Sequence, residues 1–171
     1  MTLSFTVYGV AQPKGNLRAF QGRGMRYPVI TESNRSVKSW QQLIAAAATA
    51  ALSERPPDER HLVTGGVRCE VTFYLPRPKA LCTPRCRLRP IAHTKAPDLD
   101  KCARAVLDAL TSVVWHDDAQ VVDLVAAKRY AGIEDPARVD ITVTAASLPV
   151  STPRRSRQGD LQLADDELTV A

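Results

Sequence analysis

CARAVLDALTSVVWHDDAQVVDLVAAKRY, Cys102–Tyr130, joins two hydrophobic periods through a short acidic stretch. Up to Val114 the apolar residues Ala103, Val106, Leu107, Leu110, Val113 and Val114 recur at spacings of three and four. That period gives one apolar stripe on a helix. From Ala119 the pattern becomes AQVVDLVAAKRY, a run rich in β-branched and aliphatic residues that predicts a strand. A second strand, ARVDITVTAA, follows the turn signal GIEDP. A helix feeding two strands in this way implies a sheet covered by helices.

The N-terminal half supplies the remaining elements. LSFTVYGV, Leu3–Val10, alternates apolar and polar residues and predicts a strand. AQPKGNLRAFQGRGMRYP, residues 11–28, is rich in Gly, Pro and basic residues and reads as a loop or mobile arm. SNRSVKSWQQLIAAAATAALSE predicts a helix with Ser33, Asn34 and Ser36 as caps and Val37, Trp40, Leu43, Ile44, Ala47 and Ala51 on its buried face. RPPDER ends it, and GGVRCEVTFYLP predicts a strand with Val67, Cys69, Val71 and Phe73 on one side. The expected class is α+β: a single mixed sheet of about four strands packed with two main helices. One domain is expected over residues 1–148, with 149–171 a polar tail of mixed charge that lacks a core of its own.

The 171 residues carry a net charge of +5, and 44% of them are hydrophobic. That profile suits a globular protein with an anionic partner, nucleic acid before a membrane surface. No apolar run approaches the roughly 20 residues of a membrane span, and MTLSFTVYGV has no basic n-region, so a cytoplasmic location is expected. There Cys69, Cys82, Cys86 and Cys102 are expected as free thiols. Cys82-x3-Cys86 with His93 lacks the regular fourth ligand of a zinc site. Between Arg77 and Lys95 there are six basic residues and no acid, which suits phosphate contacts better than a plain solvated loop.

Carboxylates concentrate around the helix: Asp98 and Asp100 before it, Asp108 on it, Asp117 and Asp118 after it. The residue before Pro97 is pushed toward extended geometry. If KAPDLD is extended, Asp98 and Asp100 point to one side, whereas on a continuous helix they would stand about 200° apart. The helix is therefore expected to begin at or just after Asp100, with Asp100 as its N-cap. Asp108 falls on the polar face and reads as solvated. Carboxylates gathered together repel unless a cation fills the group, and oxygen-only ligands suit Mg2+ or Mn2+. Such a site can polarise a phosphodiester, generate hydroxide and stabilise the leaving oxygen. The plain alternative is a solvated turn or helix cap. A continuous helix from Asp100 to Val114 would run about 20 Å. Asp118 then returns to Asp100 only if VWHDD folds back, if the helix ends early, or if a partner subunit supplies it.

The segments PDLD, VLDALTSVVW and HDDAQVVDL with Lys128, over roughly Lys95–Arg129, resemble the RusA endodeoxyribonucleases, which resolve Holliday junctions. AQPKGNLR is similar to the proline-lysine segment near the start of phage-type members. The resemblance implies metal binding by Asp98, Asp100 and Asp118, Mg2+ dependence, a homodimer, and paired symmetric nicks across a four-way DNA junction. Two positions depart from the pattern: Lys101 stands where the family usually has Asn, and Arg104 where it has a functional Lys. Arg104 and Lys128 are the candidates for stabilising phosphate. Lys14, Arg18, Arg77, Lys79, Arg85, Arg87, Arg89 and Lys95 are the candidates for backbone contacts. The competing readings are a non-catalytic junction- or DNA-binding protein on the same fold, and a magnesium phosphatase for small esters, which would not need so long a basic loop.

Overall fold

The structure, a computed structural model, describes residues 2–15, 17–21, 23–24, 26–27, 29–83 and 91–146. The expected tail at 149–171 and the basic residues Arg85, Arg87 and Arg89 lie outside the described residues. The elements run β1 (Thr2–Tyr8), β2 (Leu17–Phe20), β3 (Val29–Glu32), α1 (Val37–Ser53), β4 (Val67–Leu75), α2 (Leu99–Leu110), β5 (Val121–Tyr130) and β6 (Arg138–Ala145). Four strands form one mixed sheet in the order β1-β6-β4-β5. β4 pairs parallel with β5 and antiparallel with β6, and β6 pairs antiparallel with β1. Parallel neighbours require a crossover, and α2 lies within the one that joins β4 to β5.

Side-chain alternation decides which face the helices cover. On β4, Val67, Cys69, Val71, Phe73 and Leu75 are all buried. They meet Leu3 and Val7 of β1, Val139, Ile141 and Val143 of β6, and the apolar stripes of both helices in one core. The other face of the sheet is polar: Ser4 bonds Thr142, Thr6 donates to Asp140, and Arg138 lies over the Tyr74 ring at 4.0 Å. The molecule is thus two layers, with the helices on one face and a solvated ladder on the other.

Three expectations change. The segment expected as an arm, residues 11–28, contains β2, which pairs antiparallel with β3 just after it, Leu17 opposite Glu32. Leu43 of α1 is 54% exposed, because the buried stripe follows Val37, Trp40, Ile44 and Ala48 instead. α2 begins at Leu99, so Asp98 is its N-cap residue, with φ −69° and ψ 134°, and Asp100 already sits in the first turn. Pro97 permits this because only the residue before a proline is barred from helical geometry. Asp98 makes no side-chain capping bond.

Candidate nuclease site

The D-L-D segment is held from below by a strand. Lys128 lies opposite Phe73 in the β4–β5 register, on the face that the helices cover. Its ammonium donates to the carbonyls of Lys95 at 2.8 Å and Pro97 at 2.9 Å. Lys128 therefore acts as a strut between β5 and the entry to α2. The Lys128, Asp100 and Asp98 charges all act on the buried Cys102 thiol, whose pKa burial pushes up from 9.0 to about 11. Asp100 raises it further and Lys128 pulls it down, so these groups share one neighbourhood. Cys102 is protonated at neutral pH and packs as a small apolar group.

Above the strut, Asp98 and Asp100 are exposed at the start of α2. Lys101 pairs with Asp98 at 3.2 Å. Arg104, one turn after Asp100, is exposed on the same helix. The proline-lysine segment packs beside it: the Lys14 amide donates to the Lys101 carbonyl at 3.0 Å. Asn34 donates to the Pro13 carbonyl at 2.9 Å and ties that segment to the start of α1. The Lys14 ammonium is engaged by Asp108, which also accepts from Gln41. Asp108 is therefore part of a half-buried ion pair and not a solvated acid, and Lys14 is committed to it.

Of the remaining basic candidates, Arg77 and Lys95 have contacts with the end of β5. Arg77 lies over the Tyr130 ring at 5.9 Å, and the His93 ring stands 4.4 Å from that ring. Lys79 and Lys95 are exposed. Arg18 lies on β2, and nothing is described of its side chain.

The second half of the motif is built differently. After α2 the chain turns through Ser112, whose φ is +63°, and buries Val114 and Trp115 completely. A short 3-10 turn, Asp118–Gln120, then leads into β5. Asp117 accepts from the Ala119 amide at 2.8 Å and caps that turn. Gln120 clamps it: its carbonyl accepts from the amides of His116 and Asp117, and its amide donates to the carbonyls of Val63 and Gly65. Of the two adjacent acids, Asp117 is thus occupied by the backbone, while Asp118 is exposed and has no side-chain partner among the described residues.

The two halves do not meet within one chain. Asp118 precedes Val121, which pairs with the first residue of β4, whereas Lys128, which holds the D-L-D segment, lies near the far end of β5. Lys128 lies seven steps along β5 from Val121, roughly 23 Å at 3.3 Å per residue. Among the described residues no three His, Cys, Asp or Glu side chains form a group that could hold a metal ion. Asp98 and Asp100 both act on the Cys102 thiol from the start of α2, while Asp118 lies before the other end of β5. No helix among the described residues is long and apolar enough to cross a membrane.

The sequence profile described as Endodeoxyribonuclease RusA matches residues 10–144. The chain belongs to the RusA endodeoxyribonuclease family. It is also 34% identical over 157 residues to the uncharacterized protein YqaN of Bacillus subtilis (strain 168), an alignment that covers 85% of this chain and 97% of YqaN. The RusA match takes in β2–β5, both helices and all but the last residue of β6, so the hairpin and the proline-lysine segment fall inside it as well as the acidic motif.

The strut makes one expectation concrete. Lys128→Met should lower the single-turnover cleavage rate about 100-fold while changing junction affinity by less than about 3-fold, since misplacing reacting groups by an ångström has that scale of effect. Amide exchange over Leu99–Ala103 should quicken, because two carbonyls lose a charged donor. Lost cleavage with unaltered exchange would instead put the ammonium on the DNA phosphate.

Proposed function

We propose that this chain is a Mg2+-dependent endonuclease, with Mn2+ able to replace Mg2+, that cuts four-way DNA junctions as a homodimer by paired symmetric nicks and serves DNA recombination and repair. The observation that carries this reading is the exposed Asp98–Asp100 pair, held at the start of α2 by Lys128 with Arg104 one turn away. Paired carboxylates next to cations match a site that must hold a divalent ion and a phosphate together.

The acids of one chain do not complete the metal site, since Asp118 stands at the opposite end of β5. A bound Mg2+ would supply charge stabilisation at the phosphodiester. This chain's own residues do the rest. Asp98 and Asp100 offer oxygen ligands. Arg104 presents a planar fork to a phosphate, and its guanidinium keeps its proton, so it binds and neutralises without acting as an acid. Lys95 and Lys79 add positive charge along the approach, where contacts position DNA without reading its sequence.

The test is cleavage of a labelled four-way junction beside a linear duplex of the same arms, with Mg2+ and with EDTA. Symmetric nicks at the branch, present with Mg2+ and absent with EDTA, are expected. Tight binding of the junction without any nick under either condition would favour the non-catalytic junction-binding reading, which the Arg104 replacement keeps in view.

A further inference from the structure

We propose that the β2–β3 hairpin is a recognition finger for branched DNA: the Tyr27 ring at its tip stacks on a base left open at the branch point, and Arg23 and Arg26 hold the adjoining phosphates. This role deepens the nuclease reading above and rests on it for the identity of the substrate.

The hairpin springs from beside the acidic segment. Its strands, Leu17–Phe20 and Val29–Glu32, form a two-stranded sheet of their own, and among the described residues neither pairs with the four-stranded sheet. Its root is closed tightly. Asn34 donates to the Pro13 carbonyl at 2.9 Å across the two ends. A Cβ on Gly15 would collide with the Ser33 hydroxyl and stand 2.7 Å from the Asn34 nitrogen, so glycine lets the two ends pass this closely. The Lys14 amide donates to the Lys101 carbonyl, which ties the root to the first turn of α2, the turn that carries Asp100. Four residues of strand then carry the tip about 13 Å from that root. At about 3.4 Å per nucleotide along a strand, that is roughly four steps of DNA. A phosphodiester at the D-L-D segment and a base a few nucleotides away can therefore be held by one chain.

The tip has the chemistry of a nucleic-acid contact. Residues 14–31 hold four basic side chains and no acid. Lys14 is committed to Asp108, but Arg23 and Arg26 are exposed at the tip. Gly24 between them turns the chain with φ +91°, and the space that its Cβ would fill is open. Tyr27 is 70% exposed, the most of any large hydrophobic side chain among the described residues. The Arg26 guanidinium lies over its ring, 5.7 Å from the centroid. One face of the ring is thus backed by a cation, and the other is left to take a base. Every base has a π-face, so such stacking needs no particular sequence. In a continuous duplex each base pair is covered by neighbours above and below. Where four arms diverge, the base pairs at the branch lose a neighbour, and an aromatic ring can replace it. A lone two-stranded hairpin is only marginally stable in water, and a ligand that binds its paired form stabilises it.

Binding is read in EDTA, so that cleavage plays no part, on a four-way junction and on a linear duplex of the same arms. Tyr27→Ala should weaken junction binding about 10-fold, the scale for removing one base-stacking ring, and duplex binding less than about 2-fold. Tyr27→Phe keeps the ring and should bind both DNAs as the wild type does. The double variant Arg23→Gln, Arg26→Gln should weaken junction binding and lower its salt slope by about 2. Because Tyr27 is exposed, the thermal unfolding of Tyr27→Ala should match that of the wild type. In the unaltered protein, 5-iodouracil placed at the branch should photo-crosslink to Tyr27, identified by peptide mass spectrometry, and 5-iodouracil in mid-arm should not. Wild-type junction affinity in Tyr27→Ala, an equal loss on junction and duplex, or crosslinking confined to the mid-arm base would overturn the inference. Junction binding that depends on Tyr27, beside a wild type that nicks nothing with Mg2+, would sink the nuclease reading and leave the finger standing. Nicking at the branch with selectivity unchanged by Tyr27→Ala would do the reverse.

Discussion

Asp100→Asn is expected to reduce junction cleavage at least roughly 1000-fold, equivalent to about 4 kcal/mol of barrier, with junction binding and thermal stability retained. Asp100 lies in the first turn of α2, exposed, with no ion-pair partner among the described residues. Its charge gains a few tenths of a kcal/mol from the helix N-terminus, and the nearby like charge of Asp98 works against that gain. The two offset, so the midpoint of unfolding should move by no more than about 2 °C. Binding should be equal or tighter by a few fold in EDTA, because one negative charge leaves a surface that approaches phosphate. The separation of the readouts matters. Equal loss of binding and cleavage would make Asp100 a structural residue of the entry to α2. Unchanged cleavage would remove the metal-site reading altogether. Single-turnover nicking at saturating protein, beside filter binding of the same junction, distinguishes the three results.

How much of this was legible in the residues depends on how local each signal is. The stripe Ala103, Val106 and Leu110 lies on one helical period and is buried, whereas Val114, read as its continuation, is buried from the turn after α2. The alternation of Val67, Cys69, Val71 and Phe73 is equally local and equally sound. The hairpin of β2 and β3 escaped because each strand has four residues, too short for alternation to show through Gly- and Arg-rich surroundings. Asp98 and Asp100 are both competent N-cap types two residues apart, so chemistry alone could not choose between them. Leu43 shares the helical spacing of the core residues, but the packing on β1 and α2 selects the stripe one position over.

The site shows the same division. PDLD and HDDAQV were visible as acids at motif spacing. What holds them was not, because the partners are remote in the chain. Gln120 donates to Val63, 57 residues away, and Lys128 to Pro97, 31 residues away. Asp108 meets Lys14 across 94 residues. The distance between Asp118 and the D-L-D pair has the same origin. A helix and a parallel strand traverse the molecule in opposite senses, so acids placed before the helix and before the strand end up at opposite ends of one chain.

Trp115→Ala is expected to cost about 3–5 kcal/mol of unfolding free energy, the range for removing a large aromatic from a core. Trp115 is fully buried, and its Nε1 has no hydrogen-bond partner among the described residues, so its contribution is packing. Its backbone carbonyl accepts from the Ser112 amide at 2.7 Å and closes the turn that ends α2. The same turn bridges to Val63, whose amide donates to the Val114 carbonyl at 2.8 Å. Losing the indole therefore loosens the packing between the end of α2 and the Asp117–Gln120 turn, three residues before Asp118. Trp115→Phe should recover most of the stability, at a residual cost of about 1–2 kcal/mol, because it keeps a ring in the cavity and strands no polar group. Urea unfolding followed by circular dichroism gives both values without relying on the deleted fluorophore. If packing at Trp115 also sets where Asp118 sits, the alanine variant should nick junctions at least about 10-fold more slowly at temperatures where it is fully folded, and the phenylalanine variant at nearly the wild-type rate. A folded alanine variant with wild-type nicking would show that the clamp by Gln120 places Asp118 without help from the core.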